Sequence, residues 1–139
     1  MILADSSAWV EYLRATGSPV HLRLRQLIAD GGDLVTTEVV MMELLAGETT
    51  PDGVARLRRL LGRFDLLPIE GLADFEAAAE LYRRCRAAGE TVRKLTDCLI
   101  AAIALRHGAT LLHRDRDFEV IARHAPLMVA GQRRPSRSS

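Results

Sequence analysis

Aromatic residues and lysine are both scarce in this chain of 139 residues. Phe, Trp and Tyr make up only 4% of the sequence, so the core must be built from Leu, Ile, Val and Ala. Lys94 is the only lysine among 19 basic residues, and the others are arginines, whose planar guanidinium groups suit phosphate oxygens well. Because GC-rich coding also favours arginine, this composition alone does not show nucleic-acid binding.

Long apolar runs and paired cysteines are also missing. No stretch approaches the ~20 apolar residues that span a bilayer, and residues 1–5 lack the basic start of a secretory signal. We therefore expect a cytoplasmic protein that does not contact a membrane. Cys85 and Cys98 show neither a CxxC motif nor the Cys/His spacing of a zinc site. We expect both to be small buried side chains.

Short apolar segments alternate with amphipathic helical patterns along the chain. This alternation predicts an α/β fold, a three-layer α/β/α sandwich in which helices cover both faces of a mainly parallel central sheet. The length suits a single domain, for which we expect residues 1–131, followed by a disordered polar tail at 132–139. The predicted strands are residues 2–4, 34–36, 64–69, 110–113 and 127–129.

Helix caps are predicted from the same pattern. Ser6 or Ser7 follows the first strand and is expected to cap the helix that begins there. Thr96 is expected to cap a late helix at 98–105, which is mostly apolar and therefore buried.

Four acidic residues occupy informative positions relative to these elements. Asp5 ends the first strand, and Asp115 lies just beyond the strand that ends at His113. Ligands of open parallel sheets bind at the carboxyl ends of the strands, so both acids are expected at that edge. Asp97 opens an otherwise apolar helix, and Glu43 lies among apolar residues. A carboxylate in such surroundings is costly unless it is paired or binds a cation.

Each of these acids also has a purely structural explanation. Asp97 could favour the positive end of a helix dipole, and Glu43 could pair with an arginine. Asp5 and Asp115 could be turn residues at strand ends. Two interpretations of His113 also remain: it could be a catalytic base or ligand, or it could be a structural residue at the strand end. A purely structural account of the set requires all four explanations for the acids to hold at once. The predicted fold favours a shared site instead, because it brings these acids towards one edge of the sheet.

Converging carboxylates without His or Cys ligands select a hard cation, Mg²⁺ or Mn²⁺. Such an ion makes bound water nucleophilic near neutral pH and stabilises charge on a phosphoryl oxygen. The chain has no GxxxxGK(S/T) loop, no GxGxxG motif and no GxSxG elbow, which excludes common nucleotide-binding and serine-hydrolase sites. The residues alone therefore favour metal-assisted hydrolysis of a phosphate ester.

Four segments of the chain resemble the PIN-domain family, and within it the VapC toxins of bacterial toxin–antitoxin pairs. Each segment is unspecific alone, but four in order with every acid in place form a specific pattern from Met1 to about Val129. Gly-Glu-Thr-Val-Arg at 89–93 is similar to mycobacterial VapC proteins. The segments are Ile-Leu-Ala-Asp-Ser-Ser-Ala-Trp (2–9), Glu-Val-Val-Met-Met-Glu-Leu-Leu (38–45), Thr-Asp-Cys-Leu-Ile-Ala-Ala (96–102) and Leu-Leu-His-Arg-Asp-Arg-Asp-Phe (111–118).

The resemblance implies a PIN-like fold and a metal site at its acidic edge. Asp5 and Asp97 would be direct Mg²⁺ ligands, and Mn²⁺ is a possible substitute. Glu43 and Asp115 would complete the site through water or a second ion. Two further residues are implied: Asp117 as the least certain fifth acid, and Ser6 as a hydrogen-bond donor across the site.

The resemblance also implies partners. VapC toxins are usually homodimers, cut RNA such as tRNA or rRNA, and are inhibited by a VapB antitoxin that often puts an arginine into the acidic groove. Four arginines are candidates for binding RNA phosphates at the rim, although they could instead form an ordinary solvated face: Arg14, Arg93, Arg114 and Arg116.

The sequence thus favours a Mg²⁺-dependent endoribonuclease that is the toxin of a type II toxin–antitoxin system. Two alternatives remain at this point. One is a non-catalytic PIN scaffold that binds RNA or protein, for which the loss of an acid would be typical. The other is a different metal-dependent phosphoesterase, such as a phosphatase or a DNA nuclease.

Overall fold

A five-stranded parallel sheet forms the centre of the molecule. The computed structural model describes residues 1–130, so the predicted tail at 132–139 lies outside the described residues. The strands are β1 (Ile2–Ala4), β2 (Leu34–Thr36), β3 (Asp65–Leu66), β4 (Thr110–Leu112) and β5 (Val129–Ala130). Their order is β3-β2-β1-β4-β5, and every neighbouring pair is parallel, which confirms the predicted parallel sheet.

Helices connect the strands. They are α1 (Ser6–Leu13), α2 (Pro19–Ala29), α3 (Glu38–Ala46), α4 (Pro51–Leu61), α5 (Gly71–Ala87), α6 (Leu95–His107) and α7 (Arg116–His124). In residues 1–130, no helix combines the length and the apolar character needed to cross a membrane.

The path of the chain through the sheet sorts these helices into two layers. From β1 through β2 to β3 the chain moves towards one edge of the sheet, and from β3 to β4 and β5 it moves towards the other. Crossovers between parallel strands are right-handed, so α1 to α4 cover one face and α5 to α7 cover the other. Helix contacts agree, because α1 packs on α2 and α3 while α5 packs on α6 and α7. The predicted three-layer α/β/α sandwich is therefore confirmed.

The core is aliphatic, as the shortage of aromatic residues predicts. Leu3 of β1 and Leu111 and Leu112 of β4 are fully buried, because these central strands are covered on both faces. Helix α6 is buried along most of its length and contacts α5, α7 and β4. Cys85 and Cys98 are free and buried, as predicted.

Two helix caps differ from the predicted ones. Asp5, rather than Ser6 or Ser7, is the N-cap of α1, and its side chain accepts a hydrogen bond from the backbone N–H of Ser7 at 2.9 Å. Asp5 is the cap, and not one of the two serines, because its backbone has the extended conformation that an N-cap requires. Helix α6 begins one residue before Thr96, with Lys94 at the N-cap position, so Thr96 caps nothing.

The outer strands also deviate from their predicted bounds. Strand β3 keeps only two residues of the predicted 64–69, where Pro68 has no N–H to donate to the sheet. Strand β5 begins later than the predicted 127–129, because the N–H of Leu127 is already bonded to the carbonyl of Ala125 at 2.8 Å. Neither difference affects the central strands that position the acidic residues.

Candidate metal centre

The candidate site lies at the carboxyl ends of β1 and β4. The connections that leave these two neighbouring strands run towards opposite edges of the sheet, from β1 to β2 and from β4 to β5. Such a switch point opens a crevice at the strand ends of a parallel sheet. Asp5 follows β1 directly, and its backbone N–H donates to the carbonyl of Leu112 at the end of β4. Asp115 follows β4 after two further residues, so the sheet places both acids at this crevice.

Asp5 is fully buried, and its two carboxylate oxygens have different environments. Its Oδ2 accepts hydrogen bonds from the backbone N–H of Ser7 at 2.9 Å and from the Ser7 hydroxyl at 2.6 Å. Its Oδ1 is buried and has no hydrogen-bond partner among the described residues. Burial raises the pKa of this carboxyl, against the lowering effect of the Ser7 hydrogen bonds. One oxygen therefore caps α1 and the other remains available to a cation.

Asp97 is a second fully buried acid of the site. It lies in the first turn of α6, is 0% exposed, and neither of its carboxylate oxygens has a hydrogen-bond partner within residues 1–130. Burial, followed by the nearby charge of Asp5, raises the pKa of Asp97 to about 9. A buried carboxylate without donors is costly unless a cation compensates it.

Asp97, Asp115 and Asp117 converge tightly. One carboxylate oxygen from each lies within 4.8 Å of the other two. Asp115 caps α7 by accepting the N–H of Asp117 at 2.9 Å. Asp117 is almost fully buried and accepts the backbone N–H groups of Arg93 and Lys94 at 3.1 and 3.0 Å. Asp117 is therefore held in the cluster by two backbone hydrogen bonds, although the family resemblance implied it only as an additional fifth acid.

Glu43 reaches the site from α3. Its Oε1 accepts a hydrogen bond from the Ser6 hydroxyl at 3.0 Å, and its Oε2 lies 3.5 Å from the Thr96 hydroxyl. Burial raises the pKa of Glu43, and the charge of Asp5 adds to this increase. Glu43 and Asp5 do not belong to the tight three-acid group, so the candidate residues form a triad with two further acids beside it.

His113 has a structural environment. Its side chain is buried, its Nδ1 accepts the backbone N–H of Asp115 at 3.1 Å, and its ring lies 5.3 Å from that of Phe118. Burial lowers the pKa of His113, which favours the neutral ring that this hydrogen bond requires. The contacts support a role in orienting the Asp115 segment.

Lys94 is a site residue that the sequence reasoning missed. Its ammonium lies 3.3 Å from Oδ2 of Asp115 and 3.8 Å from Oδ1 of Asp97. The spacing of Lys94 and Asp97, three residues apart at a helix start, is the signal in the sequence that could have indicated this contact. Arg93 lies beside it, 3.5 Å from both Asp115 and Asp117.

The other candidate arginines form no ion pair with the triad in the described residues. Arg14 is exposed at the end of α1, and Arg116 is exposed at the start of α7. Arg114 is exposed as well, and its Nε lies 3.7 Å from a carboxylate oxygen of Glu11. Of the four candidates, only Arg93 contacts the carboxylate triad in the described residues.

The unpaired oxygens of this site fit a divalent cation. Oδ1 of Asp5 and both oxygens of Asp97 are buried and accept no hydrogen bond within residues 1–130, and the Lys94 ammonium lies 3.8 Å from Oδ1 of Asp97. Carboxylate oxygens are ligands that Mg²⁺ and Mn²⁺ prefer, and the group of Asp97, Asp115 and Asp117 includes no His or Cys. The donor set therefore suits a hard divalent ion.

Comparison with known proteins agrees with this geometry. The sequence model of the PIN domain matches residues 2–124. Ribonuclease VapC11 of Mycobacterium tuberculosis is 47% identical over 134 residues, which cover 96% of this chain and 100% of that protein. The chain belongs to the PIN-domain family, in its VapC branch. All five acids of the candidate site lie within the matched PIN segment.

Solved structures share the fold of this PIN domain. A chain in the structure of FitAB bound to an IR36 DNA fragment superposes with a TM-score of 0.75 and 21% identity, covering 99% of this chain and 100% of that one. A chain of VapBC2 from Rickettsia felis, bound to a DNA fragment from its promoter, gives a TM-score of 0.73 and 20% identity, with 94% and 98% covered. At such identities the likeness concerns the fold alone.

Without a divalent ion, this PIN domain should lose stability as the pH rises from about 4 towards about 9. The pKa of Asp97 is about 9 in the folded protein against an ordinary 3.8, so the folded state binds more protons across this range. The free energy of unfolding therefore falls as the pH rises. Asp97→Asn removes this contribution, so its stability relative to wild type should increase with pH.

Urea unfolding of both proteins in EDTA, at about pH 5 and about pH 8, measures this difference. Asp97→Asn is expected to be more stable than wild type by at least about 1 kcal/mol at the higher pH, because the amide avoids burying an uncompensated charge. A stability difference that is the same at both pH values would contradict the prediction.

Proposed function

We propose that this PIN domain is a Mg²⁺-dependent endoribonuclease and the toxin of a type II toxin–antitoxin system. The observation that carries the proposal is Asp97, a fully buried carboxylate at the switch point of a parallel sheet, neither of whose oxygens accepts a hydrogen bond within residues 1–130. The 47% identity to a protein named as a ribonuclease supports RNA as the substrate class. The alternative of a non-catalytic scaffold lacks a comparable observation, because every acid of the pattern is present.

The proposed division of labour follows from the contacts. Asp5 and Asp97 would hold the ion through their unpaired oxygens, and Asp115 and Glu43 would complete the site. The bound ion would supply a water of lowered pKa and stabilise charge on a phosphoryl oxygen. Ser7 fixes the carboxylate of Asp5, and Ser6 fixes that of Glu43. Mn²⁺ should replace Mg²⁺, because it accepts the same oxygen ligands.

The RNA would approach the rim formed by the exposed arginines. Their guanidinium groups suit phosphate oxygens, and Arg93 lies at the edge of the acidic cluster itself. A structured RNA, such as a tRNA or an rRNA loop, is the proposed target class, because its unstacked bases are accessible to a protein surface. The four arginines assigned to this contact are Arg14, Arg93, Arg114 and Arg116.

A VapB-type antitoxin is the proposed protein partner. The negative crevice is suited to a guanidinium group of an inhibiting chain, since carboxylates bind arginine through paired hydrogen bonds. The VapBC2 structure, from a toxin–antitoxin system of the same fold, supports this assignment.

A homodimer is the proposed assembly. Three large apolar side chains are exposed on neighbouring α5 and α6: Leu72 (72%), Phe75 (51%) and Leu95 (57%). Phe75 and Leu95 line an apolar hollow of about 190 Å³ beside Thr96. A clustered apolar surface of this kind is typical of an association site, and a second copy of the chain would bury it next to the acidic crevice.

Cleavage of RNA in controlled metal concentrations tests the enzymatic function. Purified protein is incubated with total bacterial RNA in EDTA, in Mg²⁺ and in Mn²⁺, and the new RNA ends are mapped by sequencing. We expect a small set of discrete cleavage sites with either metal and none in EDTA, because the buried carboxylates require a cation.

The other outcomes separate the alternatives. Cleavage that persists in EDTA would contradict metal dependence. An absence of cleavage in both metals would favour the non-catalytic scaffold. Equal cleavage of RNA, single-stranded DNA and a small phosphate ester would indicate a broader phosphoesterase.

A further inference from the structure

Lys94 brings a positive charge of the chain itself into the carboxylate cluster. We propose that its ammonium group acts as a built-in second cation, so that the cluster binds a single divalent ion. The inference rests on the proposed metal-dependent function and concerns the number of ions that the site takes. It assigns to Lys94 the positive charge beside Asp97 and Asp115 that a second ion would otherwise supply.

The distances place the ammonium between two members of the triad. Its Nζ lies 3.3 Å from Oδ2 of Asp115 and 3.8 Å from Oδ1 of Asp97. The triad is tight, with oxygens of Asp97, Asp115 and Asp117 within 4.8 Å of one another. A divalent ion shared by Asp97 and Asp115 would therefore have to displace the ammonium or lie in repulsive contact with it.

The backbone of Lys94 is fixed by the third member of the triad. Asp117 uses Oδ1 for the backbone N–H of Arg93 and Oδ2 for that of Lys94. Val92, just before them, is buried in the core. The lysine side chain thus begins from an anchored point, which reduces the entropy lost when its ammonium enters the cluster.

The oxygens that remain free lie elsewhere in the cluster. They are Oδ1 of Asp5 and Oδ2 of Asp97, which accept no hydrogen bond within residues 1–130, whereas Oδ1 of Asp97 already has the Lys94 ammonium 3.8 Å away. These two buried oxygens would hold the single ion. The Lys94 ammonium contacts the other oxygen of Asp97 and Oδ2 of Asp115. Because the lysine side chain is 48% exposed, it can also contact an incoming phosphate.

Counting the bound ions tests the inference independently of catalysis. Mn²⁺ is titrated into the wild-type chain and into Lys94→Met, and free Mn²⁺ is followed by electron paramagnetic resonance. We expect one Mn²⁺ per wild-type chain. In Lys94→Met we expect a second ion, bound at least about 10-fold more tightly than any second ion in wild type, because the competing charge is gone.

Two further variants serve as controls. Lys94→Arg keeps a cation in place and should bind one ion, as the wild type does. Arg59→Met removes a positive charge from the exposed face of α4 and should leave both the number and the affinity of the ions unchanged. Circular dichroism before each titration identifies any variant that fails to fold, in which case Lys94→Gln replaces Lys94→Met.

The outcomes distinguish this inference from the function on which it rests. Two ions in the wild type, or a single ion with unchanged affinity in Lys94→Met, would overturn the role of Lys94 and leave metal dependence intact. No Mn²⁺ bound by the wild type would overturn metal dependence itself, and the inference with it.

Discussion

Replacing Asp97 by Asn is expected to lower the rate of RNA cleavage by at least about 100-fold, the size of effect seen when one charge-stabilising group of an active site is lost. Neither oxygen of the buried Asp97 accepts a hydrogen bond in the described residues, and Asp97 lies within 4.8 Å of the Asp115 and Asp117 carboxylates. Asn has nearly the same shape but carries no charge and offers one oxygen instead of two. The ion would therefore lose its central ligand while the core around α6 stays packed.

The control for this experiment is Asp30→Asn, which makes the same chemical change at an exposed position after α2. Asp30→Asn should cleave RNA at the wild-type rate. Cleavage is measured on the mapped RNA site with excess Mg²⁺, and thermal melts verify that both variants are folded. Wild-type cleavage by a folded Asp97→Asn would contradict the assignment of Asp97 to the metal centre.

Replacing Arg106 by Leu is expected to destabilise the fold by about 3 kcal/mol, at the lower end of the range for breaking a buried ion pair. Arg106 donates to both oxygens of Asp74, at 2.9 and 2.8 Å, and to the carbonyl of Pro68 at 2.7 Å. Asp74 is almost fully buried, whereas the Arg106 side chain is 28% exposed. Without the arginine, the buried carboxylate of Asp74 would lose its charged partner and keep only the hydrogen bond from the backbone N–H of Glu70, at 2.7 Å.

The pH dependence and a matched variant separate this effect from simple loss of packing. Hydrogen bonds from Arg106 hold the pKa of Asp74 below its ordinary 3.8, so the pair stabilises the fold above that pH and the stabilisation is lost as the pH falls through the folded pKa. The difference between wild type and Arg106→Leu in urea unfolding should therefore shrink below about pH 4. Arg123→Leu, which removes an exposed partner of Glu90, should change stability much less. Equal losses in the two variants would contradict the prediction.

The fold and half of the candidate site could be predicted from local patterns. Asp5 and Asp115 each follow an apolar strand, and the carboxyl ends of parallel strands share one edge. The apolar run after Asp97 predicted a buried helix, and α6 is buried. These features depend on whether a short segment is buried, and the apolar pattern within each segment indicates this without knowledge of its neighbours.

The missed features depend on contacts between distant segments. Lys94 enters the cluster because Asp117, 23 residues later, binds its backbone N–H. The same contact makes Asp117 a central residue, although its position in the first turn of α7 is typical of an ordinary acidic helix start. The predicted cap of α1 was wrong for a different reason: the sequence offers Asp5 as a metal ligand or as a turn residue at the strand end, and in the structure its carboxylate also caps the helix.

The strand order has a consequence for the synthesis of the protein. Strand β1 is made first and lies between β2 and β4, but β4 ends only at Leu112. A nascent chain therefore exposes one side of β1, with Asp5 at its end, until most of the domain has left the ribosome. Asp115 and Asp117 follow later still, so an incomplete chain lacks two of the three triad acids. A fragment that ends before β4 therefore lacks both a neighbour of the first strand and two of the acids at the candidate metal centre.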